Sequence, residues 1–101
     1  MMFFHHAKKV TYTPSSQLSE HCWSASISIE NGVESVIHLF FETPEEGRKC
    51  DAAMREAGVD CLPHGVGAIS LSLHFIKKSV ATREANGFTF DFGSESVRVF
   101  S

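Results

Sequence analysis

The chain has 101 residues, of which 43% are hydrophobic, 11% aromatic and 21% charged. That balance is globular and excludes a disordered or low-complexity chain, and the length corresponds to a single domain, 1–101. Nine Lys and Arg against twelve Asp and Glu give a net charge of −3, without the basic stripe of an extended nucleic-acid binder.

The basic residues come instead as isolated pairs, Lys8-Lys9, Arg48-Lys49 and Lys77-Lys78. The three cysteines, Cys22, Cys50 and Cys61, have no framework spacing and read as reduced thiols. The opening residues lack the basic n-region and long apolar h-region of a signal peptide. No apolar run approaches the roughly 20 residues that span a bilayer. A cytoplasmic protein without membrane contact is expected.

In chain order, Phe3–Thr13 reads as an edge strand guarded by Lys8 and Lys9, broken by Thr13-Pro14-Ser15-Ser16. Trp23, Ala25, Ile27 and Ile29 then alternate with Ser24, Ser26, Ser28 and Glu30, the period of a half-buried strand. Asn31-Gly32 signals a hairpin into Val33–Glu42. A two-residue turn puts Ile37, Leu39 and Phe41 on the serine face. A three-residue Glu30-Asn31-Gly32 loop with Gly32 left-handed puts them with Trp23, Ala25 and Ile27, and is preferred.

A helix is expected over 44–57. Thr43 is its N-cap, Pro44 its first residue, and Glu46 completes a capping box. Cys50, Ala53, Met54 and Ala57 form one apolar stripe, and Gly58 is the stop. Alternation returns with Ile69, Leu71, Leu73 and Phe75 facing one way and Ser70, Ser72 and His74 the other. Lys77–Asn86 is read as strand leading into an Asn86-Gly87 turn. Phe88, Phe90 and Phe92 alternate next, and Val97–Phe100 closes the chain. The order predicts an α+β fold: a twisted antiparallel sheet of about five or six strands with one helix across a face. Its core would hold Trp23, Ile27, Ile37, Leu39, Phe41, Met54, Leu71, Leu73, Phe88 and Phe90.

Signatures of chemistry are sparse. Cys61-Leu62-Pro63-His64 has the spacing of a zinc half-site, and His21-Cys22 is the best complement. No second C-x-x-C or C-x-x-H supports them, so no metal and no cofactor are expected. His38 and His74 lie near several serines, but there is no G-x-S-x-G elbow to make a nucleophile. Glu45-Glu46 is explained by capping. Gly65 and Gly67 precede a strand rather than a helix, unlike the glycines of a phosphate loop. Cys50 on the apolar stripe is expected to be a buried, inert thiol.

One surface stands out. Val36, His38 and Phe40 point away from the helix, between a Ser24/Ser26/Ser28 row and a Ser70/Ser72/His74 row, if those strands are neighbours. Small hydroxyls around a few large apolar groups make an adhesive, uncharged patch of the kind that contacts partners, unless another segment covers it. Protonation of His38 would place a charge in such a contact, which should then weaken on acidification.

The expectation is a non-enzymatic interaction protein, an inhibitor or adaptor, binding another protein through these nine residues. Small proteins of this kind are frequent in phages and mobile elements, where they block host enzymes or defence complexes. Two alternatives stand beside it. One is a small-ligand or small-enzyme site using His38, His74 or His64 in a sheet cleft. The other is a homo-oligomer joined through the same face or an edge strand.

Overall fold

A computed structural model of the chain describes residues 1–62 and 69–101. These form β1 (Met2–Phe4), β2 (Lys9–Ser19), β3 (Cys22–Glu30), β4 (Glu34–Phe41), α1 (Pro44–Ala57), β5 (Ile69–Leu73), β6 (Val80–Glu84), β7 (Gly87–Asp91) and β8 (Ser96–Phe100). The class is α+β. The strands make two four-stranded mixed sheets, β2-β3-β4-β5 and β1-β8-β7-β6, in place of the expected single antiparallel sheet. β5 runs parallel to β4, and β1 parallel to β8. The first departure has a local cause. A helix placed between two neighbouring strands carries the chain back to the end from which it started, so the second strand returns parallel. The second joins the two ends of the chain, which no local pattern announces.

The β3–β4 hairpin has the preferred faces. Trp23 pairs with Phe41, Ala25 with Leu39 and Ile27 with Ile37. Glu30 pairs with Glu34, so the three-residue loop is Asn31-Gly32-Val33, one position later than expected, with Gly32 at φ 101°. Moving the loop by one residue shifts the register by two, which leaves every side chain on the same face.

Thr13-Pro14-Ser15-Ser16 does not end a strand. It is a bulge inside β2, where the register to β3 slips between Thr13 and Ser16. β2 lies at the edge of its sheet, so the missing N–H of Pro14 breaks no ladder. The strand continues to Ser19 and turns at Glu20-His21 into β3.

The helix is bounded as expected. Thr43 Oγ1 accepts from the Glu46 N–H at 3.3 Å, Pro44 opens the first turn, and Gly58 closes the last in a left-handed conformation. The buried stripe is Gly47, Cys50, Met54 and Ala57, with Ala53 half-buried at its side. α1 packs mainly against β2 and β6, the edge strands of the two sheets, rather than across the middle of one. At Gly47 a Cβ would stand 2.8 Å from Ser15 Oγ, so the helix approaches the β2 bulge as closely as a glycine permits.

A single hydrophobic cluster joins both sheets and the helix. Ile27, Ile37, Leu39, Phe41, Met54 and Phe90 are fully buried, while Trp23, Leu73 and Phe88 pack at its margin. Leu71, expected inside, is 36% exposed. Tyr12, Ile29, Ile76, Phe92, Val97 and Val99 complete the interior. Five of those six lie outside the strongly alternating β3 and β5 segments, and the second sheet is what gives the last three their place.

Candidate functional site

The register of the first sheet sets the serine rows on either side of β4. Ser24 stands opposite Phe40, Ser26 opposite His38 and Ser28 opposite Val36. On the other side Val36 pairs with Ser70 and His38 with Ser72. The condition on which the patch depended, that β3 and β5 flank β4, is therefore met.

The two ends of this face differ in exposure. Val36 is 2% exposed and Ser26 and Ser28 are 6% exposed, so that end is shielded from solvent. Ser28 donates to the Glu34 carboxylate at 2.9 Å. Farther along β4, Ser24, His38 and Phe40 are half-buried and Ser72 and His74 exposed; Ser70, beside Val36 on the β5 side, is exposed as well.

The open end is organised by aromatic rings. Phe40 and His74 stack with centroids 4.8 Å apart and planes 8° from parallel. His38 lies 6.4 Å from Phe40 on one side, and Phe75 lies 6.1 Å from His74 on the other. Offset stacking of this kind adds a modest attraction to the area that each ring covers. The His74 imidazole and the Phe40 ring support each other across the β4–β5 junction.

Phe75 departs from the expected alternation. The period of two placed it with Leu71 and Leu73; it is instead 63% exposed and has φ 56°. Left-handed backbone at a bulky residue costs on the order of 1–2 kcal/mol. Ile76 takes the interior place, 3% exposed, and its N–H donates to the Phe40 carbonyl at 3.0 Å. The signal was the Phe75-Ile76 doublet. Two large apolar residues in succession cannot both face inward from a strand.

A second cluster was not read from the sequence. The Asp51 carboxylate on α1 accepts from Tyr12 Oη at 2.7 Å and from the backbone N–H and Oγ of Ser15, at 2.8 and 2.7 Å. The bulge in β2 leaves the Ser15 amide without a ladder partner, and Asp51 supplies one. This is a staple between helix and sheet.

The thiols are free. Cys50 is buried beside Tyr12, and burial pushes its pKa up to about 11. Cys22 and Cys61 are half-buried, and their nearest hydrogen-bond acceptors are the carbonyls of Trp23 and Val59. His21 is exposed beside Glu20. His64, the other half of the Cys61 spacing, lies outside the described residues, as do Gly65 and Gly67. Among the described residues no three or more His, Cys, Asp or Glu side chains converge as a metal site would require.

Three clefts lined by described residues lie away from His38 and His74, one of them of about 300 Å³ between Met1 and the β7–β8 turn. A second, of about 360 Å³, has Val10, Phe88 and Val99 among its walls and Lys8, Lys9 and Arg83 at its rim. A third, of about 400 Å³, lies between α1 and β6. Among the described residues no helix is long and apolar enough to cross a membrane. Comparison with known proteins finds no family model, no curated protein and no solved structure that matches this chain.

Proposed function

We propose that the protein is a small non-enzymatic interaction module, of inhibitor or adaptor type, that binds another protein through the open end of the β3–β4–β5 face. The observation that carries this reading is Phe75. A phenyl ring held in solvent by a left-handed backbone, next to a stacked Phe40–His74 pair, is an arrangement that packing within the chain does not reward. Large rings that bury apolar area and lose few rotamers are the usual anchors of protein contacts. The hydroxyls of Ser24 and Ser72 border the rings with groups that donate and accept without carrying charge.

The working surface is thus Ser24, His38, Phe40, Ser72, His74 and Phe75. Ser26, Ser28 and Val36 act from beneath it by fixing the strands, and Ser70 lies at its edge.

Two substitutions test the reading. Phe40→Glu places a charge among the rings. Phe75→Gly removes the outermost ring and suits φ 56°, so its stability should be unchanged or higher by up to about 1 kcal/mol. Affinity capture from the source organism's lysate should return a stoichiometric protein with the original chain and lose it with either variant. Equal capture by all three chains, with circular dichroism unchanged, would remove this face as the contact.

A further inference from the structure

We infer that β5 is an open pairing edge and that its occupant is β5 of a second copy of this chain, joined antiparallel across a two-fold axis. Natural sheets blunt their edges with charge, proline, bulges, short strands or a covering element. Three of the four edges here are blunted. β2 carries a bulge, and along its outer side the Tyr12 N–H donates to the Asp60 carbonyl at 2.7 Å. β6 carries Arg83 and Glu84 and has α1 against it. β1 is only three residues long.

Among the described residues β5 carries no charge, proline or bulge and has no covering element. Ile69 to Ile76 reads Ile-Ser-Leu-Ser-Leu-His-Phe-Ile, eight residues without an acidic residue, a lysine, an arginine or a proline. Among the described residues β4 is its sole strand neighbour. No described residue takes up its amides and carbonyls on the outer side, where another strand could pair.

The identity of that strand follows from the side chains. An antiparallel pair centred on Leu71 sets Leu71 against its own copy and Ser70 against Ser72 of the other chain. Apolar meets apolar on one face and hydroxyl meets hydroxyl on the other, with no charge to repel. Such self-complementarity is what a two-fold interface demands. It also accounts for Leu71, which has a core-facing position yet is 36% exposed; a second Leu71 would cover it. The pairing would give one continuous eight-stranded sheet. Because the axis stands perpendicular to the sheet, both aromatic clusters would lie on the same side. That last consequence rests on the proposed function, whereas the pairing does not: Leu71 and Phe40 are on opposite faces.

A five-residue strand pair is a small interface, below about 1,200 Å² in total, so the association should be reversible and in the micromolar range. Sedimentation velocity from about 1 to about 300 µM should show a monomer passing into a dimer. Over the same range, hydrogen exchange should slow at residues 70–73 and not at β1 or β6.

Leu71→Lys and Leu71→Glu should each weaken self-association about ten- to a hundredfold, and an equimolar mixture of the two should restore a dimer by pairing opposite charges across the axis. Circular dichroism verifies that each variant is folded; if either is not, the exchange measurement on the unaltered chain decides alone. A chain that stays monomeric throughout, or a dimer protected anywhere other than β5, overturns the inference. Phe40→Glu should leave self-association unchanged, which separates failure here from failure of the partner reading.

Discussion

Asp51 shows how much one side chain can hold. Its two oxygens take three hydrogen bonds from β2, satisfying an amide freed by the bulge and the hydroxyl of a tyrosine that is fully buried. Asp51→Ala leaves that hydroxyl and that amide without their partner, and should cost about 3 kcal/mol in urea denaturation. Tyr12→Phe removes one donor from a carboxylate that keeps two others and should cost about 1 kcal/mol.

The neighbouring Cys50 gives a pH signature. Burial raises its folded pKa from 9.0 to about 11, and burial with the nearby Cys50 and Asp51 raises that of Tyr12 further. A raised pKa means that the unfolded chain loses its proton first. The stability that these groups contribute is complete below about pH 9 and declines as pH rises toward 11. Melting temperature should therefore fall over that interval, and Cys50→Ser should flatten the first part of the decline. In the native protein Cys22 and Cys61 should react with a thiol reagent well before Cys50, which is exposed only by unfolding.

At the scale of elements, signals that stay within a few residues transfer directly. The cap at Thr43, the stop at Gly58 and the alternation of β3 act through hydrogen bonds and side-chain direction over a turn or a strand, and each is where the sequence places it. Signals whose meaning depends on a neighbour do not. Pro14 ends a strand inside a sheet and is harmless at an edge, and nothing local says that β2 is an edge. Gly87 belongs to the same class. Asn86-Gly87 was read as a turn pair, but the two-residue loop is Ala85-Asn86, and Gly87 begins β7 opposite Phe100. A Cβ there would lie 1.8 Å from the Val99 carbonyl oxygen, at φ 156°. Gly87→Ala should thus separate β7 from β8 and cost about 3 kcal/mol or more by thermal melting. A loss under 1 kcal/mol would show that the strands do not approach so closely.

At the scale of the whole molecule the fold is two sheets held by one helix on their edges. This explains why the stripe on α1 is mostly small, Gly47, Cys50 and Ala57 around one larger Met54: small residues let it sit against β2 and β6 together. It also treats the edges unevenly: β1, β2 and β6 are blunted, whereas β5 has β4 as its one strand neighbour among the described residues, with the aromatic cluster close by.

The sequence alone determined the class, the helix and its limits, and the alternation of β3; it favoured the correct faces of the β3–β4 hairpin over the opposite register. Each depends on periodicity or capping, which act over distances shorter than one element. Only the tertiary structure decided that there are two sheets, that β5 and β1 run parallel to their neighbours, that Val36, Ser26 and Ser28 are shielded while Phe40 and His74 stack in the open, and that Phe75 turns outward. Those depend on contacts between residues far apart in the chain, where each added pairing is chosen by what else is left to bury, and a local pattern has no access to that competition.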